Sequence, residues 1–418
     1  MSLLLYNIGL SLFNQLFRLA SIWNNKANLL LRGRESTWEK LERFHGEGHK
    51  FVIWFHAASL GEFEQGRPII EGLKNAQPEL VVLLTFFSPS GYEIRKEYKG
   101  ADLVAYLPSD SHRNAARFIE LANPSIAIFI KYEFWYHYLI ACKKEKVPTL
   151  SVSTIFRSSQ PFFKFYGGLH RKMLSCFNHI FVQDNQSGEL LETVGVRNYS
   201  ISGDTRFDRV ADVVSTKLDL PLIEEFKNDS LVMVLGSVWP GDMEILTPFI
   251  SKYSDRIKFI IAPHNVDEKD INELLNQLGA NATKYSKAED ADLQSSPVLI
   301  IDSIGLLSSL YGYGELSYVG GAFRQTLHNT LEAAAHGIPV FFGRDESNSK
   351  FREAGELERL GAGIPVSSTD EIVEHIEPLL TKEELRSKLG NISSNYIQEN
   401  RGATKMIIDY IVKSSNKM

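Results

Sequence analysis

At 418 residues the chain is long enough for two domains of ordinary size, and its apolar (44%) and charged (23%) fractions are those of a globular protein, not a disordered one. A net charge of −6 argues against a broadly basic nucleic-acid-binding surface. The two cysteines, Cys142 and Cys176, have no metal-ligand spacing, which argues against a zinc site and suits a reducing cytosol.

From Leu3 to Trp23 the residues are mostly Leu, Ile, Phe and Tyr, while Asn7, Ser11, Asn14, Arg18 and Ser21 recur three and four apart. That spacing predicts a greasy helix with a narrow polar stripe. Lys26, Arg32 and Arg34 follow it. A signal peptide carries its charge before the apolar run, and a transmembrane span would lack the stripe and Arg18. Residues 1–35 are therefore expected to be a membrane-associated helix lying in the interface with a basic flank. The same pattern would also suit a helix packed on its own domain with the stripe outward.

From residue 51 apolar runs alternate with helix-period segments. Phe51–Phe55, Leu80–Phe86, Leu103–Leu107, Ile126–Ile130 and His179–Val182 read as buried parallel strands, with helices such as Glu64–Asn75 and Ser111–Ala122 between them. The fold class is α/β, a doubly wound sheet over 36–208, whose ligands bind past the carboxyl ends of strands. After the first run comes His56-Ala57-Ala58-Ser59-Leu60-Gly61-Glu62. Ser59 and Gly61 leave room for a substrate; Glu62 either complements a helix dipole or is a base at the cleft. After the fourth run, Lys131, Glu133 and Trp135 cluster, where Glu133 could equally be a helix-start carboxylate. Arg157 opens a basic, aromatic stretch suited to a phosphorylated or acidic partner, or to a solvated face.

Residues 209–229 are polar and poorly patterned, as a linker would be. A second alternation spans 230–380, with strands expected at Leu231–Leu235, Ile257–Ile261, Val298–Ile301, Leu316–Val319, Pro339–Phe342 and Ala362–Val366. Its densest stretch is Tyr318–Gly343, in which a strand meets Gly320 and Gly321 and a helix is expected from about His328 and Asn329 to Gly337. Paired glycines admit a ligand to the main chain, helix-start N–H groups attract a phosphate, and Glu332 lies where a ribose hydroxyl could reach it. Residues 381–418 read as C-terminal helices.

Two such domains joined by a linker match the arrangement called GT-B, two doubly wound Rossmann-like domains facing across a cleft. HAASLGE, KYEFW, GDTRFD, GSVWPGDME, APHN and YVGGAFRQTLHNTLEAAAHGIPVFFG, in that order, resemble the 3-deoxy-D-manno-octulosonic acid (Kdo) transferases of lipopolysaccharide synthesis. The resemblance covers nearly the whole chain. It implies inverting transfer of Kdo from CMP-Kdo to a lipid A precursor (lipid IVA) at the cytoplasmic face of the inner membrane, with no metal and no cofactor. It further implies that Glu62 is the general base and that Ser237, Pro263, His264, Gly320, Gly321, His328, Asn329 and Glu332 bind the donor. Ser59, Gly61, Lys131, Glu133 and Arg157 fall to the acceptor. Against the family pattern, Pro263 is followed by His264 where Arg is usual, and Ala322 to Leu327 separate Gly321 from His328. A GT-B transferase using a UDP-sugar and another lipid acceptor, or a non-catalytic nucleotide sensor, would share part of this pattern.

Overall fold

The computed structural model describes residues 2–216, 218–279, 282–324, 327–344 and 351–415. The chain divides into two compact units, Met1–Asp208 with Arg401–Met418, and Arg209–Asn400.

The first unit is a parallel seven-stranded sheet in the order β3-β2-β1-β4-β5-β6-β7. Its strands are β1 (Val52–Ala57), β2 (Val81–Phe86), β3 (Leu103–Tyr106), β4 (Ile126–Ile130), β5 (Thr149–Thr154), β6 (His179–Val182) and β7 (Tyr199–Ile201). Helices cover both faces, and each face has its own core, one around Trp54 and Phe129 and the other around Phe55 and Ile128. The five expected strands are present. β5 and the short edge strand β7 were not anticipated; in β5, Thr149-Leu150-Ser151-Val152-Ser153-Thr154 reads as half-polar, yet all six residues are buried. Its hydroxyls are satisfied locally: Ser151 Oγ lies 2.6 Å from Thr154 Oγ1, and Ser153 Oγ lies 3.1 Å from Thr205 Oγ1. Buried hydroxyls with partners cost the core little, so a polar pattern did not prevent burial.

Two helices, Ser2–Ala20 and Asn25–Gly46, precede β1, the second capped by Asn24, which accepts from Ala27 N at 3.1 Å. The second helix settles on β3 at Gly33, where a Cβ would lie 2.2 Å from the Tyr106 ring. Residues 1–35 therefore contain a complete helix and part of another. In the first helix Leu3, Tyr6 and Phe17 turn toward the unit, and Tyr6 donates to Asp110 at 2.6 Å. Leu4, Leu5, Ile8, Leu12, Leu16 and Leu19 face outward, continued by Ile22 and Trp23. No described helix is long and apolar enough to cross a membrane.

The second unit is also a parallel seven-stranded sheet, ordered β10-β11-β9-β8-β12-β13-β14. Its strands are β8 (Val232–Val238), β9 (Lys258–Pro263), β10 (Ala282–Lys284), β11 (Val298–Ile300), β12 (Leu316–Val319), β13 (Val340–Gly343) and β14 (Gly363–Val366). All six expected strands are present, and β10 is an added edge strand. Residues 209–229, expected as a linker, hold the end of the helix Thr205–Ser215 and all of the helix Pro221–Lys227. Of the tail, the helix Glu383–Glu399 belongs to this unit, whereas Ala403–Ser415 returns to the first and packs on the helix Leu60–Ala76.

Asp208 anchors that return. Its carboxylate accepts from Gly402 N (2.7 Å) and Thr404 N (2.8 Å), satisfying donors at the start of the last helix, which buries Ile407 and Ile411 in the core. Asp208→Ala is expected to lower the stability of the full chain by about 1–2 kcal/mol, read as a lower urea midpoint with an unchanged slope. An unaltered midpoint would show that the cap does not hold the helix.

Candidate active site

In each unit the strand order reverses beside the first strand, between β1 and β4 and between β8 and β12. Loops leaving those strand pairs turn to opposite faces, which opens a crevice past their carboxyl ends.

In the first unit that crevice receives the ends of β1, β4, β5 and β6. Ser59 has extended backbone before the helix Leu60–Ala76, and its hydroxyl is hydrogen-bonded to Glu62 in the first turn. Glu62 is half-buried and Gly61 exposed. Burial raises the Tyr132 pKa, Arg157 lowers it, and Asp184 and Glu62 raise it, so these four groups share one electrostatic neighbourhood. Lys131 adopts φ 65°, which turns the chain off β4, and its ammonium lies 5.5 Å from the Tyr132 ring centroid. The structure thus brings Ser59, Glu62, Lys131 and Arg157 to one strand-end crevice, together with Tyr132 and Asp184, which sequence reasoning did not single out.

Glu133 is buried beside them, held by a network that begins inside the sheet. Trp54 Nε1 donates to Thr85 Oγ1 (2.8 Å), which lies 2.9 Å from His56 Nδ1. His56 Nε2 lies 2.9 Å from Glu133 Oε2, and Trp135 Nε1 donates to the same oxygen at 2.7 Å. His56 Nδ1 also lies 3.1 Å from Thr85 O, so the ring is held at one nitrogen by Thr85 and at the other by Glu133. Among the described residues no protein donor reaches Oε1, leaving that oxygen as a fixed acceptor. The signal for His56 was a single polar residue in an otherwise apolar run.

In the second unit, Asp242 ties the crevice together. One turn into the helix Pro240–Tyr253, it accepts from Trp239 N (2.8 Å), Gly321 N (3.0 Å) and the Tyr318 hydroxyl (2.9 Å). Burial raises its pKa and these donors oppose the rise. Its position three residues after Trp239, just past Pro240, was the available sequence signal. Gly320 is needed because a Cβ there would lie 2.5 Å from Ser237 O and 2.7 Å from Val238 Cα. Ser237 itself takes φ 53° at an irregularity in the β8–β9 pairing.

The glycine N–H groups are not open to a ligand as expected: Gly320 N donates to Gly236 O (2.9 Å), and Gly321 N donates to Asp242. The helix expected from His328 to Gly337 is only Thr330–Ala335, six residues capped by Asn329. A single turn and a half carries too few aligned peptides for the dipole invoked from sequence. Asn329 Nδ2 donates to Glu332 Oε1 (3.2 Å), while Ser308 donates to Glu332 Oε2, so Glu332 is oriented from two sides.

The crevice is instead walled by stacked rings. Pro263 ends β9, and His264 N donates to Val238 O at 3.0 Å. The His264 ring stacks on Trp239 (4.0 Å, 20°) and on His328 (4.8 Å, 29°), and Trp239 Nε1 donates to His328 Nε2 at 3.0 Å. The exposed Arg324 guanidinium lies over Trp239, 4.9 Å from the ring centroid. The six residues that separate Gly321 from His328 thus carry an arginine to the stack beside His264.

A sequence profile described as 3-deoxy-D-manno-octulosonic-acid transferase (kdotransferase) matches residues 35–209. The transferase of that name from Aquifex aeolicus is 30% identical over 362 residues, 84% of this chain and 93% of the relative. The chain belongs to the Kdo transferase family. The Haemophilus influenzae transferase is 27% identical over 373 residues, 86% of each chain. Among solved structures, the UDP-GlcNAc 2-epimerase of Neisseria meningitidis superposes with a TM-score of 0.59 at 15% identity, covering 87% of this chain and 100% of that one. MurG of Acinetobacter baumannii gives 0.54 at 10%, covering 87% and 99%. At such identities these two speak for the fold alone, which is GT-B, built from two Rossmann-like units. The protein is a glycosyltransferase.

Burial, and secondarily His264, lower the His328 pKa to about 4. The unfolded chain takes up that proton near the ordinary imidazole value of ~6.5. Between the two values the unfolded state binds more protons, so stability falls as pH is lowered through that window. His328 is expected to titrate by NMR well below the exposed histidines, and His328→Asn to flatten this part of the stability profile. An ordinary midpoint for His328 contradicts its burial as a neutral ring.

Proposed function

We propose that this transferase moves Kdo from CMP-Kdo to a lipid A precursor, lipid IVA, in lipopolysaccharide synthesis, by a single displacement with inversion. The second unit (230–380 in the domain division proposed from sequence) binds the donor and the first (36–208) the acceptor. The observation that carries this reading is the ring stack of Trp239, His264 and His328 with Arg324 over it, at a strand-order reversal. Rings can cover the cytosine or ribose faces, and Glu332 is oriented to accept from a ribose hydroxyl. Burial keeps His328 neutral, so Arg324 is the permanent cation there, and it would meet the phosphate as CMP leaves.

In the first unit, Glu62 takes the proton of the attacking sugar hydroxyl as the new C–O bond forms at the Kdo anomeric carbon. The bond to the CMP phosphate breaks and its electrons leave with CMP. Lys131, Arg157 and the Glu133 Oε1 acceptor position the acceptor, with Ser59 orienting Glu62 and Gly61 leaving space. Incubation with labelled CMP-Kdo and lipid IVA should give Kdo-bearing lipid, and UDP-sugars should give none. Glu62→Gln is expected to slow turnover roughly 10²–10⁴-fold with CMP-Kdo affinity retained. Near-normal turnover in the folded variant removes Glu62 as the base; transfer from UDP-sugars, or binding without turnover, removes the Kdo-transfer reading.

The same reading places the chain peripherally at the cytoplasmic face of the inner membrane. The outward apolar face of the first helix supports this, together with exposed Lys26 and Arg32. Phe165 and Tyr166 are also exposed, just before the helix Gly168–Leu174 that packs against the first helix. Aromatic and aliphatic side chains that no neighbour covers are stabilised by the acyl boundary, and nearby cations by anionic headgroups. Leu12→Asp with Leu16→Asp should release the full chain from anionic vesicles without lowering its melting temperature. Retained binding, or a clear loss of stability, argues for a packing role instead.

A further inference from the structure

The Kdo-transfer reading gives no task to any residue of GDTRFD, yet the buried Thr205 of that motif is bonded to the helix Leu60–Ala76, which carries Glu62. That helix is intrinsically poor just beyond the base. Pro68 has no N–H to offer the Glu64 carbonyl, so the ladder joining the first turn to the rest is one rung short. Gly66, two positions earlier, is the most flexible residue type, and a Cβ there would lie 2.2 Å from Ile130 Cδ1 on β4. Where the first turn stands is therefore set largely by contacts from outside the helix.

Thr205 supplies such a contact. Its Oγ1 donates to Gln65 O at 2.5 Å, three residues after Glu62. A carbonyl can only accept, so this bond uses the single hydroxyl proton of Thr205. Ser153 Oγ, 3.1 Å from Thr205 Oγ1, is then the donor of that pair, and the bonds run in one direction from Ser153 through Thr205 to Gln65. Ser153 is itself fixed. It takes φ 54° where the β5–β6 register shifts, and its carbonyl accepts from Gln183 Nε2 at 3.1 Å. A residue with a Cβ stays in that region only when its surroundings hold it there. Ser153, Thr205 and Gln65 are all buried, which keeps bulk water from these hydroxyls.

The rest of the motif holds Thr205 in turn. Asp204 accepts from Arg206 N (2.9 Å) and Arg206 Nε (2.9 Å) at the entry to the helix Thr205–Ser215. Asp208 caps the last helix, whose Ile408 abuts the base-bearing helix at Gly72.

We propose that Thr205 is a positioning residue for the base: through the Gln65 carbonyl it holds the first turns of the helix Leu60–Ala76 so that the Glu62 carboxylate meets the attacking hydroxyl. Ser153 orients the Thr205 hydroxyl. This role rests on Glu62 as the base and names what fixes its place.

The test measures transfer from labelled CMP-Kdo to lipid IVA by the full chain, with kcat and KM separated, in Thr205→Val and Thr205→Ser, each alone and with Glu62→Gln. Valine keeps the shape and removes the hydroxyl. Thr205→Val is expected to lower kcat about ten-fold or more with KM near wild type, since a small misplacement of a catalytic group is that costly. Thr205→Ser keeps the donor and should recover most of that rate. In the Glu62→Gln background the valine should cost nothing further, because the group it positions is gone. If Thr205→Val does not fold, Ser153→Ala carries the test, with a smaller kcat loss that again vanishes without Glu62. Wild-type kcat in the folded variant, or the same fractional loss with and without Glu62, overturns the proposal and leaves Thr205 a packing residue. Such a result beside a slow Glu62→Gln leaves the base assignment standing. Near-normal turnover in Glu62→Gln removes the base and its positioning residue together.

Discussion

A parallel sheet whose strand order reverses next to its first strand must send neighbouring connections to opposite faces. That constraint acts once in each unit, between β1 and β4 and between β8 and β12, and the candidate site residues gather at those two places. At both places main-chain polar groups and charged side chains come together at the end of an apolar sheet, where they must be paired to be tolerated. The two units solve this differently. In the second, Asp242 collects three donors from a helix start, a strand and a glycine turn, so that one buried carboxylate fixes the backbone around the crevice. In the first, a chain from Trp54 through Thr85 and His56 ends on Glu133, so the fixed group is a side chain and one of its oxygens stays available.

The contrast has a functional reading. A nucleotide presents flat rings and a phosphate, and the second unit offers stacked Trp239, His264 and His328 with a cation above them. Because burial keeps His328 neutral, the charge of that surface comes from arginine and does not vary across physiological pH. A sugar hydroxyl about to attack needs carboxylates in known orientation, and the first unit offers Glu62 bonded to Ser59 and Glu133 held through Oε2.

The N-terminal hairpin inverts the usual rule that greasy residues go inside. Its first helix spends Leu3, Tyr6 and Phe17 on the unit and leaves a longer row of leucines outward, while the second buries an arginine. The outward row is stabilised if the missing partner is a lipid surface. One packing event, the helix Asn25–Gly46 against β3 at Gly33, sets the depth of Arg34.

Apolar runs of four to seven residues and their helical intervals were enough to read two doubly wound sheets, because a strand buried on both faces must be continuously apolar. β5 escaped that reading: Ser151 and Thr154 pair within the strand and Ser153 meets Thr205, distant in sequence, and only the folded chain supplies these pairings. Motif order likewise identified the family and nominated Glu62, Glu133, Asn329 and Glu332, since local spacing is written in the chain. What a side chain meets is not written there. The sequence could not say that the Gly320 and Gly321 N–H groups are consumed by Gly236 and Asp242, nor that His328 would be buried neutral against Trp239. Nor could it say that Arg34 would lie buried beneath Phe87 while Arg324, in an inserted turn, stays exposed over Trp239. Charge and polarity belong to residues, but desolvation and partners belong to the packing around them, and in this protein the packing decided which polar groups could act.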